Sequence, residues 1–174
     1  MQVRDLLSAH SSWLTDTCIT RIFEVVNKYQ IERGASLYCV PSLLTSSLLV
    51  ASSETSGRFA RILFQSIVGE RGRVSFPRAL VLAMHVDQTH YITLLLLAAL
   101  RKIYVYDSLT TSVQTKRAIK KLASAFHIEN IKYRPTVQQS ERPCKHCGVF
   151  VLGFSIGMCF DVEPVSDLTP FILS

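Results

Sequence analysis

Between residues 79 and 107 three short runs of apolar and β-branched residues, 79–85, 91–98 and 102–107, follow one another with only brief polar breaks. Runs of this length bounded by polar residues read as consecutive strands. Strands joined so closely leave no room for a crossover helix, so the last two are placed to pair as a hairpin. A sheet in the middle of the chain is therefore the first constraint on the fold.

Helical periodicity dominates on either side. From residue 13 to 29 the apolar positions Trp13, Leu14, Ile19, Ile22, Phe23, Val25 and Val26 recur at helical spacing, with Thr15 or Asp16 able to cap the first turn. Residues 41–50 and 55–69 give two more helices: Pro41 suits a first turn, and Phe59, Ile62, Leu63 and Ile67 fall on one stripe. Residues 112–126 return to helical spacing, 127–133 suit one more strand, and 147–159 form an apolar block that suits a helix buried on most sides. Neither repeats nor a linker interrupt the pattern. The 174 residues are read as a single α+β domain, 1–174, able to bury roughly two thirds of its unfolded surface.

Charge and cysteine content bound the partners and the compartment. The net charge is +6, which favours acidic partners: nucleic acid, an anionic membrane or an acidic protein. The basic residues come in small groups, Arg71 with Arg73 and Lys116, Arg117, Lys120 and Lys121 on one expected helix, and a solvated face is the plainer reading. Five cysteines at unrelated spacings do not form a disulfide scaffold, and a reducing compartment is expected. The first residues build no apolar signal core, and the most apolar run, 91–100, is far short of the roughly 20 residues of a spanning helix. The expectation is a soluble monomer of the cytoplasm or nucleus, without membrane association.

Three separated pieces carry chemistry. A thiol nucleophile needs a base for its proton, and the base needs an acceptor on its other nitrogen. His90 opens the second expected strand and Asp107 closes the third, so a hairpin makes them neighbours. Cys147 opens the last helix, where the positive end of the helix dipole favours a thiolate, and Gly148 beside it would allow a substrate backbone to come close.

These pieces occur in an order that resembles the cysteine proteases that process and remove SUMO and related ubiquitin-like modifiers, in the same clan as the adenovirus-type proteases. Trp13-Leu14-Thr15-Asp16 is similar to that family's Trp-Leu-Asn-Asp opening. The segment from His90 to Leu94 and that from Ile103 to Leu109 resemble its histidine strand and its Tyr-Asp-Ser-Leu strand. Gln138-Gln139 followed by His146-Cys147-Gly148-Val149-Phe150-Val151 resembles its glutamine and Asp-Cys-Gly-Val-Phe block. The resemblance implies a papain-like fold, a central mixed sheet flanked by helices. It makes Cys147 the nucleophile, His90 the base, Asp107 the residue that orients the base and Gln139 the oxyanion donor, with Gln138 as alternative because the loop up to Cys147 is longer than usual. Trp13 would line a narrow glycine tunnel, with Asp16, Tyr91 and Gly148 also on the substrate side.

Tyr91 stands where the family has tryptophan, and His146 where it commonly has aspartate. The implied reaction is hydrolysis of a peptide or isopeptide bond after a glycine-rich sequence, without metal or cofactor. The substrate would be a ubiquitin-like modifier or a viral precursor, and a compact adenain-like endopeptidase that matures polyproteins is the rival reading. An inactive relative that binds a modifier or nucleic acid is the rival from another class. Cys144-Lys145-His146-Cys147 has a spacing compatible with half a zinc site, but no second ligand pair lies nearby, and Cys18, Cys39 and Cys159 read as small core residues.

Overall fold

The computed structural model describes residues 14–35, 37–50, 58, 77–86, 90–136 and 146–160. The expected helix over 55–69 lies outside these except at Arg58, which is helical, and Trp13, Gln138 and Gln139 lie outside them altogether. The described chain runs α1 (Asp16–Glu32), β1 (Leu37–Val40), α2 (Ser42–Val50), β2 (Ala79–Val86), β3 (His90–Leu97), a short 3-10 turn, β4 (Lys102–Tyr106), α3 (Val113–Ala125), β5 (Asn130–Arg134) and α4 (Cys147–Cys159).

The strands form one mixed sheet in the order β1-β2-β3-β4-β5. The two central pairings, β2 with β3 and β3 with β4, are antiparallel, and the outer strands β1 and β5 run parallel to their neighbours. Helices cover both faces, which explains why the central strands are apolar without clean alternation. Leu80, Leu82, Met84, Ile92, Leu94, Leu96, Ile103 and Val105 face one side and pack with Ile119 and Leu122 of α3. Val81, Ala83 and Tyr91 face the other, where Ile19 and Phe23 of α1 and Val151 and Leu152 of α4 close the core. Burial of a Phe or Leu side chain of this kind is worth roughly 1.5–3 kcal/mol, and α4, with Phe150, Val151, Leu152 and Phe154 all buried, is fixed chiefly by it.

Local signals set the helix ends. Thr15 is the N-cap of α1, its hydroxyl accepting from Cys18 N at 3.3 Å, and Ser112 caps α3 by accepting from Thr115 N at 3.0 Å. Gly34, at φ 65°, turns the chain after α1 into β1. Strand β1 has no counterpart among the sequence expectations: its four residues are too few for a periodic signal. It is held by α1 instead. The buried side chain of Asn27 accepts from Cys39 N and donates to Cys39 O, each at 2.7 Å. Asn27→Ala strands both backbone groups, and a loss of about 2–4 kcal/mol in urea unfolding is the expected result.

Candidate active site

The hairpin of β3 and β4 brings together two residues 17 apart in sequence, with His90 Nε2 2.6 Å from Asp107 Oδ1. A carboxylate oxygen only accepts, so Nε2 carries the proton and the neutral ring has its lone pair at Nδ1. Both side chains are well sheltered, 13% and 5% exposed, so the bond has little water to compete with it. Asp107 is itself held: Leu109 N donates to the same Oδ1 at 3.0 Å, and Thr136 Oγ1 donates to its backbone carbonyl. The Asp-Ser-Leu turn thus fixes the carboxylate, and the carboxylate fixes the imidazole.

Cys147 is the first residue of α4 and is 1% exposed. Its cap residue, His146, makes no side-chain cap bond to the amides of the first turn. The thiol therefore sits at the positive end of a helix of 13 residues. Cys147 packs in one cluster with Tyr91, the residue after His90. That cluster joins the start of β3 to the start of α4.

The structure gives Gly148 a packing role. A methyl group there would lie 2.8 Å from Leu14 Cβ and 3.3 Å from its Cδ1. Because Leu14 Cβ cannot rotate away, Gly148→Ala forces the lead-in to α1 away from the start of α4. The expected loss is about 1–3 kcal/mol by chemical denaturation, with a further fall in activity as Cys147 shifts.

Tyr91 and Asp16 are also placed by the fold. Tyr91 is 4% exposed and lies against His85, its register partner on β2, with ring centroids 4.1 Å apart and planes 8° from parallel. Burial, then the Asp16 carboxylate to which its hydroxyl is hydrogen-bonded, push the Tyr91 hydroxyl far above its usual range and keep it a donor. Asp16 Oδ1 also accepts from Ser42 Oγ at 2.6 Å, and Asp16 Oδ2 lies 3.5 Å from His85 Nδ1. The carboxylate thus ties α1, α2, β2 and β3 together beside Cys147. Ser42 and His85 were not singled out by sequence. The position of Ser42 after Pro41 at a helix start is a usable signal, whereas His85 joins the network only through strand register.

No cluster of three or more metal-ligating side chains occurs among the described residues, and no described helix is long and apolar enough to cross a membrane. Cys18, Cys39 and Cys159 form no disulfide.

No protein-family model matches the chain, and no curated protein matches it by sequence. Solved structures do. SUMO protease Ulp1 with its catalytic cysteine oxidised to a sulfinic acid superposes with a TM-score of 0.67 at 19% identity, over 99% of this chain and 78% of that one. The C-terminal Ulp1 protease domain in complex with SMT3, the yeast ortholog of SUMO, gives 0.66 at 19% identity, over 99% and 77%. The Xanthomonas campestris effector protein XopD bound to ubiquitin gives 0.62 at 18% identity, over 93% and 88%. The chain therefore has the α+β fold of the Ulp1 and XopD proteases, a mixed five-stranded sheet flanked by helices, as the sequence resemblance implied.

Proposed function

We propose that this protein is a cysteine protease that hydrolyses the peptide or isopeptide bond following the glycine-rich C-terminus of a ubiquitin-like modifier. The observation that carries the reading is the 2.6 Å bond between His90 and Asp107, in a fold whose last described helix starts at a buried cysteine. The neighbours seen with SMT3 and with ubiquitin support the choice of substrate class.

In this mechanism Nδ1 of His90 takes the Cys147 proton, and the thiolate attacks the carbonyl carbon after the last glycine. The Asp107 carboxylate stabilises the imidazolium that results. Gln139, or Gln138 in the alternative register, donates to the tetrahedral oxyanion together with amides at the start of α4. His90 returns its proton to the leaving amine, and water, activated by the same imidazole, hydrolyses the thioester. Trp13 lines the passage for the glycines. Tyr91 stands on the substrate side, stacked on His85 and held by Asp16. No step requires a cofactor, and a reducing compartment, cytoplasm or nucleus, keeps Cys147 a thiol.

The test is reaction of the purified protein with SUMO, ubiquitin and related modifiers that carry a C-terminal electrophile. A covalent adduct at Cys147 with one of them supports the reading and identifies the modifier. Labelling by a small thiol reagent without any modifier adduct points to the viral-type endopeptidase that matures precursor proteins. Absence of any labelling at Cys147 leaves a binding module, for which the exposed Lys116, Arg117, Lys120 and Lys121 of α3 predict salt-dependent association with an acidic partner such as nucleic acid.

A further inference from the structure

At the other end of α4 from Cys147, the sulfurs of Cys39 and Cys159 lie 3.5 Å apart, although the residues are 120 positions apart in the chain. Cys39 sits in β1 and is fully buried; Cys159 ends α4 and is half-buried. Both backbones are fixed by one turn of α1. Asn27 brackets Cys39 with two bonds of 2.7 Å, and Gln30, one turn on, donates to the Cys159 carbonyl at 2.7 Å. Asn27 and Gln30 are themselves buried, so this clamp holds the two thiols facing each other.

The pair is chemically asymmetric. The two sulfurs share a hydrogen bond in which either can be the donor, and that contact draws the Cys159 thiol below its usual range against the opposing effect of burial. The adjoining sulfur and burial hold Cys39 well above its own. Cys159 is also the more accessible of the two. The partly exposed sulfur is thus the better nucleophile, and the buried one is positioned to resolve it.

We propose that Cys39 and Cys159 form an oxidisable dithiol, separate from Cys147, which a hydroperoxide converts into a disulfide that staples β1 to the end of α4. Cys159 sulfur attacks one peroxide oxygen, the O–O bond breaks, and the departing hydroxide takes the thiol proton as water, leaving a sulfenic acid. Cys39 sulfur then attacks the Cys159 sulfur, the S–O bond breaks, and hydroxide leaves with the Cys39 proton as a second water. Two thiols are oxidised and one peroxide is reduced. The sulfurs need to close from 3.5 Å to about 2.05 Å, a movement within the reach of side-chain rotation.

The experiment uses the Cys147→Ala protein, so that the nucleophile does not contribute, treated with hydrogen peroxide, alkylated and digested with trypsin. Peptides 34–58 and 146–174 then each carry one cysteine, and they are expected as a cross-linked species two hydrogens lighter than their sum, dispersed by dithiothreitol. Oxidation should raise Tm by on the order of 5–10 °C, because the bond closes a long loop. Adding Cys39→Ala should stall the reaction at a Cys159 sulfenic acid that dimedone traps, while adding Cys159→Ser should leave Cys39 reduced. Peroxide that drives Cys159 to sulfinic acid while Cys39 remains alkylatable overturns the proposal. So does recovery of both as free thiols, which makes them packed core residues only. The Cys159→Ser arm keeps the test decisive if replacement of the buried Cys39 prevents folding.

Discussion

The Cys147→Ala protein is expected to fold, to retain the modifier, and to cleave it at least on the order of 10⁴-fold more slowly than the parent. The magnitude follows from removing the group that forms the covalent intermediate: what remains is orientation of water by the oxyanion donors and by His90. Folding should survive because only Sγ is lost from a cluster supported by Ile19, Phe23, Val151 and Leu152, at a cost of about 1 kcal/mol. Single-turnover cleavage of a modifier fusion and equilibrium binding of the free modifier, measured on the same preparation, separate the two effects. Loss of cleavage with unchanged Kd assigns Cys147 to the chemistry. Loss of both makes it a packing residue, and retention of cleavage removes it from the mechanism.

The parts of this site that were legible in the sequence are those fixed by local pattern. The runs at 91–98 and 102–107 made a hairpin predictable, and a hairpin alone suffices to bring His90 against Asp107, now seen at 2.6 Å. The apolar block at 147–159 announced a buried helix, and its first residue necessarily lies at the positive end. Contacts made by register or by packing between distant segments left no such mark. Strand β1 is too short to show a period and is specified by Asn27, a polar residue whose role is invisible until the helix is docked. Tyr91 was expected on the substrate side; its strand partner His85 covers the ring, and that pairing depends on the β2–β3 register. The contact between Cys39 and Cys159 joins the sheet edge to the end of the last described helix, a tertiary fact with no sequence period.

Asp16 shows how these levels meet. As a first-turn acidic residue it favours the N-terminus of α1, a contribution of a few tenths of a kcal/mol to about 1 kcal/mol. Its carboxylate also accepts from Ser42 and from Tyr91 and approaches His85, so the helix start is tied to the strand that begins with His90. The residue that starts the helix also holds Tyr91, which packs in one cluster with Cys147.

Asp107→Asn is the sharper test of the mechanism, because it removes charge while keeping shape. The amide oxygen still accepts from Leu109 N and from His90 Nε2, so the turn and the ring orientation are expected to persist. What disappears is the negative charge that stabilises the imidazolium when Cys147 gives up its proton, together with the guarantee that Nε2 rather than Nδ1 holds the ring's proton: an amide can rotate to offer N–H, a carboxylate cannot. The expected result is a fall in kcat on the order of 10²–10⁴-fold with KM changed only slightly and with Tm near that of the parent. Asp107→Ala should lower activity similarly and also lose about 1–3 kcal/mol of stability, since the Leu109 amide then lacks this acceptor in a part-buried turn. The comparison separates charge from scaffold: an asparagine variant within a few-fold of the parent means that the carboxylate serves only to brace the turn, and His90 then acts without a charged partner.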